Sequence, residues 1–287
     1  MSFAASAGRM WKKPKDAIGR ADMIEVTSTD ATIIGFDRRG EGPPVVLVCG
    51  ASTVRSANAP LAALLARRFS VFNYDRRGRG DSGDTPPYAV EREVEDLGAV
   101  IAAAGGSAAV YGTSSGAALA LEAAANGLPI TRLALWEPPF VVDGSRPRPP
   151  ADTATTYAKL ISACRRGDAV AFFMTEVAGL PAELVSQARR TPWWLHKEAL
   201  ARTLAYDAAV LGDYSVPSQR VAAVGVPTLV IDGGASPGWK RTTAQAVANL
   251  LPAGRYHTLE DQEHDAAAEP LAPVLEAFFA GRNGTRP

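Results

Sequence analysis

The stretch Val110-Tyr111-Gly112-Thr113-Ser114-Ser115-Gly116-Ala117-Ala118-Leu119-Ala120-Leu121 holds a serine in a setting that can make it a nucleophile. A short apolar run, Ala108 to Tyr111, meets a turn of glycine, threonine and serine, and an alanine-rich segment of helix-forming composition follows at once. This is a G-x-S-x-G pattern between a predicted strand and a predicted helix. Such a turn holds its central serine in a strained backbone conformation, so small residues must flank it. Gly112 and Gly116 let the strand and the helix approach closely. Ser114 Oγ is then lifted out of the sheet at a helix N-terminus, where free N–H groups and the helix dipole favour a developing oxyanion. The glycine spacing puts Ser114 at the apex and leaves neighbouring Ser115 to contribute a backbone N–H.

The elements around this turn must position it. Met23 to Val26 and Ala31 to Phe36 read as a hairpin with a turn near Ser28-Thr29-Asp30. Pro44 to Cys49 is a continuous apolar run ending at Gly50, as expected of a strand buried on both faces. Asn58 to Arg68 has helical spacing, Phe69 to Tyr74 is the next strand, and Val90 to Ala104 is an amphipathic helix that stops at Gly105-Gly106. Ile130 to Trp136, Val226 to Ile231 and Gly254 to Leu259 are further strands. Strands alternating with helices predict a mostly parallel, doubly wound α/β sheet. Between residues 138 and 221 the pattern changes. Asp143 to Pro150 is a linker by composition. Helical segments then follow without strands, over Asp152 to Cys164, Asp168 to Ala178, Ala182 to Arg189 and Trp194 to Leu211. The expected organisation is a flexible N-terminal extension over 1–22, a core over 23–137 and 222–287, and a helical lid over 138–221.

Composition narrows the function classes. The 287 residues carry 30 basic and 30 acidic side chains and are 47% hydrophobic, which allows a full core but implies no basic face for nucleic acid. Two cysteines, Cys49 and Cys164, give no disulfide framework. No apolar run reaches the roughly 20 residues that span a bilayer, and the lysines near the N-terminus precede no apolar segment of a secretory signal. The expectation is a cytoplasmic protein with a small-molecule substrate, no membrane or nucleic-acid partner, no metal and no cofactor. Its oligomeric state is left open. One G-x-G-x-x-G string, Gly78 to Gly83, resembles a dinucleotide fingerprint. It follows a later strand, however, and Pro86-Pro87 stands where a phosphate-binding helix would already be running.

Together these residues resemble the α/β-hydrolase superfamily over about Met23 to Ala280. Besides the serine turn, Tyr74 to Gly83 is similar to the family's D-x-R-G-x-G-x-S turn, whose role there is largely structural. Pro227 to Ile231 resembles its penultimate strand, and Glu263-His264 its histidine loop. The resemblance implies an α/β-hydrolase fold with an inserted helical lid, and acyl transfer from an ester, thioester or lactone to water.

A serine hydroxyl is weak until a base takes its proton. Of three histidines, His196 lies in the predicted lid and His257 inside the last strand. His264 lies in the loop after that strand, at the sheet edge where the serine also points, and is the expected base. In many relatives the acid follows the penultimate strand. Here that turn is Gly233-Gly234-Ala235-Ser236-Pro237, and Ser236 occupies the slot. Other members, among them haloalkane dehalogenases with an aspartate nucleophile, carry it after the preceding strand. That position is Glu137, which closes a buried apolar run and needs a partner that His264 would supply. A structural Glu137 capping the Pro138-Pro139 turn is the other reading. Asp232 is the second candidate acid, followed by Asp207 and Asp213.

The oxyanion hole needs two backbone donors, assigned to Ser115 and, by position after the strand ending at Cys49-Gly50, to Ala51. Most relatives have His-Gly where this chain has Cys49-Gly50. Trp193, Trp194 and Phe173 in the lid and Trp239 in the core are expected to line an apolar pocket for a small hydrophobic substrate. Two other classes fit the departures from the family pattern. One is a non-hydrolytic or C–C bond-acting enzyme, such as a cyclase or acyltransferase. The other is a catalytically silent ligand-binding protein.

Overall fold

The computed structural model describes residues 23–142, 144 and 146–281. The proposed N-terminal extension, Asp143 and Ser145 of the linker, and the last six residues lie outside the described residues.

Eight strands form one sheet: β1 (Met23–Thr27), β2 (Ile33–Arg39), β3 (Pro44–Val48), β4 (Ser70–Tyr74), β5 (Ala108–Thr113), β6 (Ile130–Trp136), β7 (Thr228–Gly233) and β8 (Gly254–Leu259). Their spatial order is β1-β2-β4-β3-β5-β6-β7-β8. The β1–β2 and β2–β4 pairs are antiparallel and every other pair is parallel. The core helices are α1 (Ala59–Leu65), α2 (Val90–Ala103) and α3 (Ser115–Ala125), and later α10 (Gly238–Leu250) and α11 (Ala268–Phe279).

The alternation of side chains along each buried strand splits the core into two layers. Val45 and Leu47 pack with Leu61 and Leu65 of α1 and Leu275 of α11 on one face. Val46 and Val48 pack with Leu97 and Ile101 of α2 and Leu119 of α3 on the other. That second layer continues into the helices between β6 and β7 through Tyr157, Trp194 and Leu204. Those helices are α4 (Thr153–Ser162), α5 (Arg166–Phe172), α6 (Ala182–Ala188), α7 (Pro192–Ala199), α8 (Leu204–Leu211) and α9 (Ser218–Ala222).

Two helical spans differ from the sequence expectation. The single helix expected over Trp194 to Leu211 is broken into α7, a 3₁₀ turn at Ala201–Thr203, and α8. The buried Thr203 hydroxyl donates to the Leu200 carbonyl at 2.8 Å, so a side chain competes there with the helical ladder. The segment over Asp168 to Ala178 leaves α5 as a π-helical turn at Phe173–Val177, where Thr175 Oγ1 donates to Ala171 O at 3.2 Å.

Candidate active site

Ser114 is the one residue between β5 and α3. Its φ of 54° and ψ of −121° are strained for a side chain with a Cβ. The turn is held from three sides. Ser114 N donates to Trp136 O at 2.9 Å. A Cβ on Gly112 would lie 2.5 Å from Gly116 O, and one on Gly116 would collide with the carbonyls of Val48 and Cys49. The β5–α3 turn and the end of β3 therefore touch backbone to backbone, which only glycine permits at both positions.

The neighbouring serine has a different environment. Ser115 Oγ donates to Asp207 Oδ1 at 2.7 Å and accepts from Arg76 Nη1 at 3.1 Å. Its hydroxyl is committed beneath the turn. Its N–H opens the first turn of α3, where no carbonyl of the helix reaches it.

The parallel registers bring the ends of β5, β6 and β7 side by side, with Thr113 opposite Trp136 and Trp136 opposite Ile231. Glu137 follows Trp136 at φ 44° and is buried. Its Oε1 accepts from Gly233 N at 3.0 Å, and its Oε2 accepts from Lys240 Nζ at 2.7 Å. The same Oε2 lies 2.5 Å from His264 Nδ1. Burial pushes this carboxyl up, but the His264 hydrogen bond and the Lys240 charge outweigh it and hold the pKa at about 2. An ionised carboxylate so close to Nδ1 fixes the proton on that nitrogen and leaves Nε2 as the open acceptor. The loop that carries the imidazole is pinned by Trp136 Nε1, which donates to His264 O at 2.8 Å.

The other candidate acids are engaged elsewhere. Asp232 accepts from Thr258 Oγ1 at 2.9 Å, Asp213 from Ser215 N at 2.9 Å, and Asp207 from Arg79 Nη2 at 2.8 Å. His196 and His257 are exposed on α7 and β8.

The loop after β3 lies against the turn, since a Cβ on Gly50 would sit 3.2 Å from Ser114 Cβ. Arg79 Nη1 donates to Gly50 O at 2.7 Å. In a trans peptide the C=O and the next N–H point in opposite directions, so the Ala51 N–H faces away from that arginine. Cys49 is buried, accepts from Asn58 Nδ2 at 3.2 Å, and has its thiol pushed up to about 12 by burial. It is packing rather than a nucleophile.

Sequence reasoning missed the charges under and around the site. Arg76 pairs with Glu93 through contacts of 2.6 and 2.7 Å and reaches Asp207 at 2.8 Å, while Arg79 grips both oxygens of Asp207. All four side chains are buried. The only sequence signal was the run Arg76-Arg77-Gly78-Arg79. The Gly78–Gly83 string is a closed turn, with Gly78 N donating to Gly83 O at 2.8 Å and Ser82 Oγ to Asp75 O at 2.6 Å. No helix starts there.

The aromatic residues expected around a pocket divide. Trp194 is buried among the inserted helices and donates to Glu198 Oε1 at 2.9 Å. Phe173 and Trp193 are half-buried against the same core layer. Trp193 carries Lys197 Nζ 4.8 Å from its ring centre, and Trp239 carries the Arg146 guanidinium at 4.2 Å. A separate cleft of about 260 Å³ between α3 and the end of the insertion, lined by Leu121, Phe140, Val210 and Pro217 among others, contains none of these residues. Among the described residues no group of three or more His, Cys, Asp or Glu side chains is placed to hold a metal ion, and no helix is long and apolar enough to cross a membrane.

Residues 45–277 match the model of the alpha/beta hydrolase family, and the chain belongs to that family. It is similar to an alpha/beta hydrolase from Sphaerobacter thermophilus, at 58% identity and a TM-score of 0.85, over 89% of this chain and 100% of that one. A hydrolase from Pseudomonas aeruginosa shares the fold at 23% identity and a TM-score of 0.71, over 91% of this chain and 98% of that one. An esterase from a Rhodococcus species shares it at 19% identity and 0.67, over 91% and 99%. No protein of curated function matches the sequence.

Proposed function

We propose that this alpha/beta hydrolase is a serine hydrolase that cleaves an ester, thioester or lactone of a small organic substrate through an acyl-enzyme. The observation that carries the reading is the 2.5 Å contact between Glu137 Oε2 and His264 Nδ1 at the strand ends beside Ser114. His264 Nε2 takes the Ser114 proton as Oγ attacks the substrate carbonyl carbon. The N–H groups of Ala51 and Ser115 hold the oxyanion. The imidazolium, stabilised by Glu137, gives its proton to the leaving oxygen or sulfur. Water, deprotonated by the same nitrogen, then attacks the acyl carbon. The acid departs and Ser114 regains its proton. The helices between β6 and β7 act as a lid, with Phe173, Trp193 and Trp239 bounding the space for the organic part of the substrate.

A fluorophosphonate probe with intact-mass readout tests this. One adduct should form on the wild type and none on Ser114→Ala, and Glu137→Gln should label at least about 10²-fold more slowly. A wild type that takes no adduct refutes the reading.

A further inference from the structure

Among the described residues, no carboxylate pairs with two cations beside the site. Lys197, on α7, donates to Ser52 O at 2.6 Å and lies over the Trp193 ring. Among the described residues that single hydrogen bond leaves two of its three N–H groups unused. Ser52 is two residues beyond Gly50, which touches Ser114, and two residues of chain span at most about 7 Å. Asp265, the neighbour of His264, acts on Lys197 only through its field. Arg146 enters from the chain between β6 and α4 and stacks on Trp239. Its Nε is buried with no hydrogen-bond partner among the described residues. Lys240, which holds Glu137, lies 5.7 Å from the same Trp239 ring. Lys197 thus adjoins the oxyanion loop, while Arg146 adjoins the acid side of the site.

Burying a cation without a counter-charge is costly, and both groups register it. Burial pushes the Lys197 ammonium down to about 8, against the pull of Asp265 and with the push of Arg79. Burial lowers Arg146 as well. The fully buried arginines Arg76, Arg77 and Arg79, by contrast, all have carboxylates. With no carboxylate among the described residues to pair them, the ammonium by the oxyanion loop and the guanidinium on the acid side mark a place for an anion from outside the chain.

We propose that Lys197, with Arg146 as a second anchor, holds a carboxylate of the substrate, so that the enzyme acts on esters or lactones that carry an acid group. The proposal rests on the serine-hydrolase reading for its reaction but not for its binding. Trp193 and Trp239 then serve as platforms for the two cations as much as walls for an apolar group.

The test joins binding to turnover. Glutarate binding is measured by calorimetry on wild type, Lys197→Met, Lys197→Arg and Arg146→Gln, with Lys159→Met on the exposed face of α4 as control. In parallel, kcat/KM is measured for mono-4-nitrophenyl glutarate and for uncharged 4-nitrophenyl valerate. Wild type should bind glutarate and prefer the charged ester. Lys197→Met should weaken glutarate binding and lower the charged-to-neutral ratio of kcat/KM by about 10- to 100-fold, chiefly through KM. Lys197→Arg should restore part of that ratio, and Arg146→Gln should lower it less. A structural role for Lys197 would instead lower both esters together. Absence of glutarate binding, or equal loss on both esters, overturns the proposal even if Ser114 labels with fluorophosphonate. Lys197-dependent glutarate binding without labelling upholds the anion site and refutes the hydrolase reading.

Discussion

Glu137 does two jobs with one oxygen. Oε2 meets both His264 Nδ1 and Lys240 Nζ, and the resulting carboxylate stays ionised down to about pH 2. Because its folded-state value lies below the ordinary 4.5, this carboxylate stabilises the fold fully above about pH 4.5. The contribution then fades as pH falls toward 2. The difference corresponds to roughly 3 kcal/mol at neutral pH. Urea unfolding of wild type and Glu137→Gln across this range should show the wild-type advantage shrinking as pH drops. An advantage that stays constant with pH would contradict the assignment. The type and place of Glu137 were legible in the sequence, because a carboxylate ending a buried strand must find a partner. Lys240 was not legible. It lies near the start of α10, and only the fold, which packs α10 beside β7, brings it to the carboxylate.

The elements show the same division. Each buried strand announced itself as an apolar run, and the serine turn announced itself through its glycines, because both signals are local. The break between α7 and α8 was hidden, since it depends on a buried threonine turn whose surroundings come from distant chain. Glycine substitutions separate local from tertiary constraint. Gly116→Ala drives a methyl into the carbonyls of Val48 and Cys49 and should cost about 1–3 kcal/mol or more while slowing fluorophosphonate labelling. Gly98→Ala, inside α2 and 3.7 Å from the nearest side chain, should stabilise by about 0.5–1 kcal/mol. Thermal unfolding should therefore move in opposite directions for the same chemical change. A gain for Gly116→Ala would contradict the backbone contact at the turn.

For the whole molecule, the point of union is Asp207. This α8 carboxylate reaches Arg76, Arg79 and Ser115, and so ties the inserted helices to the floor of the site. Removing one partner of a buried charge cluster leaves the others uncompensated, so Asp207→Asn should destabilise by about 3–5 kcal/mol. Hydrogen exchange should then quicken in α8 before it does in β5 and β6. A loss below about 1 kcal/mol would show that water already relieves the cluster. The same tie has a meaning during synthesis. Asp207 lies 131 residues after Arg76 and 128 after Arg79. At about 5–20 residues per second, on the order of ten seconds separates their emergence from the ribosome. Through that interval Arg76 can pair with Glu93, made 17 residues after it, but the carboxylate that joins Arg76, Arg79 and Ser115 does not yet exist, so the floor beneath Ser114 is completed only once the insertion has been made.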